Sequence, residues 1–132
     1  LRQTLREKYA HLTFPASGHG TESDAEEEFL RQVLQTIRQN LSAPAFGVPE
    51  LCQALGISRT QCYRKLDALT GRSAGELIRY YRIEKAKQLL ASTNLNIAQA
   101  AFECGFKDHA YFTRAFKREA GLSPSSFRKK NS

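Results

Sequence analysis

One pattern occurs twice in this chain and restricts its fold more than anything else in it. The pattern is a short apolar-faced helix, a glycine turn, a second capped helix and a glycine stop. In the C-terminal copy, Leu95 to Phe127 reads LNIAQAAFECGFKDHAYFTRAFKREAGLSPSSF. Ile97, Ala100, Ala101 and Cys104 return to one helical face, Gly105-Phe106 turn the chain, and Asp108 starts the next helix. Phe112, Ala115 and Phe116 share one side of that helix, and Gly121 ends it. Helix, glycine turn and helix at this spacing make a helix-turn-helix unit, whose second helix can enter a DNA major groove.

The first copy spans Phe46 to Gly71. Pro49 suits the first position of a helix, Leu51, Ala54 and Leu55 are its expected buried face, and Gly56-Ile57 turn the chain. Ser58 caps the next helix, which is expected to run to about Thr70. In the repeat Leu55-Gly56-Ile57 matches Cys104-Gly105-Phe106 and Ser58 matches Asp108, with Lys107 an extra residue in the second turn. Cys62 then pairs with Phe112, Arg64 with Arg114, Leu66 with Phe116 and Gly71 with Gly121.

Between the copies, Ser73-Ala74-Gly75-Glu76 is a capping box, and Leu77, Tyr81, Ile83, Ala86, Leu89 and Leu90 keep helical periodicity. A helix over about Ala74 to Leu90, at about 1.5 Å per residue, is a rod of roughly 25 Å, which sets a distance as a Gly/Ser linker would not. Arg79, Arg82, Lys85 and Lys87 on this rod fit either phosphate contact or a solvated basic face. Ahead of the first copy, Ser23 to Glu26 forms another capping box. Phe29, Val33, Ile37 and Leu41 follow every four residues with Leu30 and Leu34 beside them, the pattern of an amphipathic helix. Its acidic start would repel phosphate, which places it away from DNA as packing support. Residues 1–22 combine a basic stretch carrying Leu1, Leu5 and Tyr9 with a Pro/Gly-rich run, and read as a solvated tail or as a linker from an upstream domain.

A chain of 132 residues holds one ordinary domain or two very small ones. Its 41% hydrophobic content supports a packed core, and its net charge of +7 favours a polyanionic partner. No apolar run approaches the roughly 20 residues of a membrane span, so no membrane contact is expected of this segment. The first residue is Leu1 rather than Met, as expected for a piece of a longer chain. Cys52, Cys62 and Cys104 lack metal-ligand spacing and are read as small core hydrophobes in a reducing cytoplasm, with a redox or zinc role as the competing reading. There is no Gly-rich phosphate loop, no nucleophile elbow and no His/Cys/Asp cluster at ligand spacing, so neither an enzyme, a metal nor another cofactor is expected.

The stretch GFKDHAYFTRAFKREAGLSPSSFR resembles the C-terminal signature of AraC/XylS-family transcription regulators, and IRYYRIEKAKQLL resembles that family's connecting helix. The resemblance implies an all-α, homeodomain-like tandem. Two helix-turn-helix subdomains, about 48–71 and 96–121, are joined by a helix over about 74–90 within a DNA-binding domain at 23–132. It further implies sequence-specific binding of double-stranded DNA and transcription regulation, usually activation with recruitment of RNA polymerase. The chain would be the cytoplasmic output domain of a larger bacterial regulator whose upstream part is a sensor or receiver, in a response regulator or a hybrid two-component protein. The alternative is a protein-interaction module that keeps the helix-turn-helix fold without specific DNA binding.

On a helical wheel Cys62, Leu66 and Leu69 face inward, leaving Thr60 and Arg64 opposite, Tyr63 beside them and Arg59 in the first turn. In the second unit Phe112 and Phe116 face inward, with Ala110, Arg114 and Lys117 opposite and His109 and Thr113 at the edges. By the resemblance, base contacts fall on Thr60, Tyr63 and Arg64 and on His109, Ala110, Thr113 and Arg114. Arginine can grip guanine O6 and N7 together, and Thr or Ala can touch a thymine methyl. Lys107 and Lys117 are better placed for phosphate, which sets register without reading sequence. Two of these residues have local competitors: Tyr63 packing on the first helix of its own unit, and His109 pairing with Asp108. Arg128, Lys129 and Lys130 fit either a phosphate clamp or a basic tail. Because Ala110 offers only apolar contact, the first unit is expected to carry more of the base discrimination.

Overall fold

The computed structural model describes residues 21–131, and every regular element among them is a helix. In chain order these are α1 (Thr21–Gln39), α2 (Val48–Leu55), α3 (Arg59–Thr70), α4 (Ala74–Ser92), α5 (Ile97–Glu103), α6 (His109–Ala120) and α7 (Pro124–Lys130). The architecture is a tandem of two helix-turn-helix units with α4 running continuously between them. The N-terminal arm, expected to be a solvated tail or a linker, lies mostly in residues 1–20, outside the described residues. Ser23, expected as a helix cap, lies within the helical range Thr21–Gln39.

The two compact units divide within α4, after Leu77. In the first unit Leu30, Val33, Leu34 and Ile37 put one stripe of α1 wholly out of solvent, as the four-residue periodicity requires. Phe29 at the stripe's edge is half-buried, with the Lys65 ammonium 4.7 Å from its ring centre. Helix α2 buries Leu51 and Cys52, whereas Ala54, expected in the core, is exposed. The helix is only eight residues long, Gly56 closes it at φ 69°, and the Cys52 carbonyl receives the Ile57 N–H at 3.2 Å.

That bond and its neighbour, Gly56 N–H to Gln53 O at 3.2 Å, form a Schellman stop. The second unit makes the same pair of bonds, Phe106 N–H to Ala101 O and Gly105 N–H to Phe102 O, both at 3.0 Å. The repeat seen in the residues is therefore also a repeat in backbone hydrogen bonding.

The second unit takes the loop Asn40–Phe46 together with α4 from Ile78 onward and the helices after it. Phe112 and Phe116 are wholly buried at its centre, with Ile83 and Ala86 from α4 and Ala100 and Cys104 from the α5 side. Phe127 of α7 closes this core, its ring 5.4 Å from that of Phe116.

Two arginines tie this unit by its backbone. Arg82 donates to Leu41 O (3.3 Å), Ala43 O (2.8 Å) and Phe46 O (3.1 Å), and so fastens the whole loop to α4. Arg128 donates to Leu90 O (3.0 Å) and Thr93 O (3.2 Å), satisfying carbonyls at the C-terminal end of α4 that no further turn of helix can reach. Neither guanidinium is a free cation on a solvated face. Lys87 pairs with Glu84 at 2.8 Å, and Lys85 reaches the Glu103 carbonyl at 3.3 Å, so most of the basic residues on α4 are bonded within the protein.

Gly105 explains why the second turn is so tightly specified. Its φ is +86°, and a Cβ built there would lie 2.3 Å from the Leu41 carbonyl oxygen and 2.9 Å from Arg82 Nε. Only glycine leaves room for the loop and its arginine.

Candidate nucleic-acid interface

The second helix of each unit is fixed at both ends by its own sequence. In the first unit Ser58 Oγ accepts the Gln61 N–H, and Gln61 Oε1 accepts the Ser58 N–H, both at 3.1 Å. Gly71, in the left-handed conformation, ends α3. In the second unit the Asp108 carboxylate accepts from Ala110 N–H (2.9 Å) and Tyr111 N–H (3.3 Å), and Gly121 closes α6. Within α3, Cys62, Leu66 and Leu69 are buried, and within α6 Phe112, Ala115 and Phe116 are. These inward residues fix the rotation of each helix about its axis and so determine which side chains reach solvent.

On α3, Arg59, Thr60, Tyr63 and Arg64 are all exposed. Arg59, Thr60 and Tyr63 line one cleft of about 450 Å³ with Val48 and the start of α4. Arg64 instead borders a different cleft, beside Phe29 of α1. The four residues share a helix, but three of them share a concavity that the fourth does not. Tyr63 is 60% exposed, so its ring is offered to solvent and is not packed away on its own unit's first helix.

On α6, His109, Ala110 and Arg114 are exposed and Thr113 is half-buried. The His109 ring centre lies 6.4 Å from that of Phe112, and the Asp108 carboxylate is committed to the backbone N–H groups of the helix start. Thr113 donates its hydroxyl to His109 O at 3.0 Å, which leaves its methyl for apolar contact. Lys107 and Lys117 are exposed. Tyr111 was not singled out from the sequence. It is 38% exposed, and the Arg114 guanidinium carbon sits 6.0 Å from its ring centre. The signal for it was a tyrosine three residues before an arginine on one helix, a spacing at which side chains meet.

A model of the helix-turn-helix domain family matches residues 51–130, which includes α3, α6 and the helix between the two units. The chain belongs to the AraC/XylS family of transcription regulators. As an AraC/XylS DNA-binding domain, it is built to bind specific double-stranded DNA sequences in transcription regulation. Over 131 residues it is 29% identical to a protein named Histidine kinase P4 from Formosa agariphila, a match covering 99% of this chain and 10% of that one. It is 30% identical over 123 residues to the HTH-type transcriptional activator RhaR of Salmonella arizonae, covering 93% of this chain and 41% of RhaR. The chain thus spans well under half the length of these curated relatives. Among solved structures, the DNA-binding domain of AdpA, a global transcriptional factor crystallised with a target DNA, superposes with a TM-score of 0.71. That match is 25% identical and covers 76% of this chain and 89% of the other.

The thiols of this AraC/XylS domain belong to its core and not to its surface chemistry. All three cysteines are free and buried. Burial, reinforced by Cys52 beside it, pushes the Cys62 thiol up to about 12, and burial pushes Cys104 up to about 11. Burial also pulls the Arg82 guanidinium down from its ordinary value, an effect partly offset by Cys104 and the Tyr111 phenol nearby. No helix among the described residues is long and apolar enough to cross a membrane.

Proposed function

We propose that α3 and α6 each enter a major groove, with Arg59, Thr60, Tyr63 and Arg64 reading bases in the first unit and His109, Ala110, Thr113 and Arg114 in the second. Lys107 and Lys117 hold phosphates and set the register. The observation that carries this reading is the repeated placement of one arginine. Arg64 and Arg114 occupy matching positions, each two residues after a fully packed inward side chain, Cys62 or Phe112, and each is exposed. A charged, multiply donating side chain held outward at the same place in both units suits bidentate contact to guanine. The domain comprises 23–132, with helix-turn-helix units at about 48–71 and 96–121 and the connecting helix at about 74–90. It is the cytoplasmic output part of a larger bacterial regulator. It acts as an activator that recruits RNA polymerase, under an upstream sensor or receiver of the two-component kind; the name of RhaR as a transcriptional activator supports the first and that of Histidine kinase P4 the two-component link.

Randomised-site selection on wild type, Arg64→Ala and Arg114→Ala tests the base assignment. Arg64→Ala is expected to cost about 1–3 kcal/mol on the selected site and to relax one or two base pairs. An unchanged motif in both variants would overturn the assignment.

A further inference from the structure

The second unit offers fewer hydrogen-bonding groups than the first. Ala110 has none, and the Thr113 hydroxyl is spent on its own helix. Its hydrogen-bonding base recognition, on the reading proposed above, therefore falls to His109 and Arg114, of which only Arg114 can grip a base with two donors at once. A long side chain on an open helix face samples many rotamers, and a reader that must be ordered on binding discriminates weakly. Arg114 is not in that position. Its guanidinium carbon lies 6.0 Å from the Tyr111 ring centre, within the range at which a cation is attracted to an aromatic face.

Tyr111 is itself held. Its ring centre is 6.0 Å from that of Phe106, which is 7% exposed, and Phe106 in turn meets the wholly buried Phe112 edge-on at 5.0 Å. A file of rings thus runs outward from the core, Phe112 to Phe106 to Tyr111, and ends under Arg114. Within α3 the first unit has no counterpart. The residue at the matching place is Gln61, whose side chain is taken up in the Ser58 cap, so Arg64 has no aromatic surface on its preceding turn.

We infer that Tyr111 is a positioning residue, whose core-anchored ring holds Arg114 in the orientation that reads its base pair. Tyr111 need not touch DNA for this. The ring keeps the guanidinium near one rotamer family, so less order has to be imposed when DNA arrives. This inference rests on the assignment of Arg114 as a reader, and the test separates the two.

The whole 132-residue chain is used, as wild type, Tyr111→Phe, Tyr111→Leu, Arg114→Ala and the double variant Tyr111→Leu/Arg114→Ala. Affinity is measured for the selected site, for that site with the Arg114-dependent base pair replaced, and for unrelated duplex. Tyr111→Leu is expected to reduce discrimination at that base pair about two- to fivefold, the worth of one partly exposed cation–aromatic contact. Tyr111→Phe keeps the ring and should keep discrimination. In the Arg114→Ala background, Tyr111→Leu should cost no further discrimination. A merely structural role predicts instead that Tyr111→Leu weakens all three duplexes alike and keeps the base preference, which would overturn the inference while leaving Arg114 a reader. If Arg114→Ala alone leaves the preference intact, both the reader assignment and the inference fall.

A direct readout covers the case in which Tyr111→Leu does not fold. Ring current from Tyr111 should shift the side-chain protons of Arg114 upfield in wild type and in Tyr111→Phe. Ordinary, unshifted arginine resonances in both would overturn the inference without any binding measurement.

Discussion

At the scale of single residues, two glycines with the same backbone sign have very different consequences. Gly56 and Gly105 both stop a helix at positive φ, and a side chain at either must accept a left-handed conformation costing about 1–2 kcal/mol. Beyond that, a Cβ at Gly56 meets nothing within 4 Å, whereas one at Gly105 collides with the Leu41 carbonyl. Gly56→Ala should therefore lower unfolding free energy by about 1–2 kcal/mol, and Gly105→Ala by roughly 3 kcal/mol or more once overpacking is added. Urea unfolding of the two variants checks the difference; equal losses would mean the loop yields freely. The buried thiols set a second expectation. The folded chain holds the Cys62 proton up to about pH 12, while the unfolded chain releases it near the ordinary value of 9.0. Unfolding thus releases a proton in that window, so the contribution is flat below about pH 9 and stability falls as pH rises through it. Cys62→Ala should flatten that alkaline slope in a series of urea titrations, whatever it does to stability at neutral pH.

At the scale of elements, the helices were legible because each carries its instructions locally. Ser58 with Gln61, Ser73 with Glu76 and Asp108 ahead of Ala110 announce their starts, and each of these bonds is made. The buried arcs of α3 and α6 followed from spacing alone, because one helix has only one face to bury. What failed was what local spacing does not decide. Ala54 was placed in the core by its spacing from Leu51, but α2 is too short for spacing to choose between adjacent positions, and Cys52 faces inward. Arg82 looked like one more cation on a basic rod, and its three carbonyl acceptors lie about forty positions earlier. In the candidate site, the outward set on α3 and α6 could be read from the wheel. The shelf under Arg114 could not, because Tyr111 becomes a support only once Phe106 has been folded beneath it.

At the scale of the whole molecule, the formal charge overstates what is available to a polyanion. Arg82 and Arg128 are spent on backbone carbonyls, and Lys87 is paired within α4. Binding to duplex should still weaken linearly in log salt, with a slope of about 0.9 per phosphate neutralised. Lys117→Ala should lower affinity for every sequence alike and reduce the slope by about one unit in titrations across ionic strength. A flat salt response would mean that the positive balance has no part in binding.

The loop Asn40–Phe46 bears on how the protein can be made and taken apart. It is synthesised before the first helix-turn-helix, yet it belongs to the second unit and supplies the acceptors for Arg82. As the chain leaves the ribosome, this short piece must wait for α4 before its carbonyls find their donors. For the same reason, cutting the chain between the repeats leaves part of the C-terminal fragment's framework, the acceptors of Arg82, on the other piece. An engineer exchanging one recognition unit between relatives would have to carry the loop along with the second unit, as a graft in two segments.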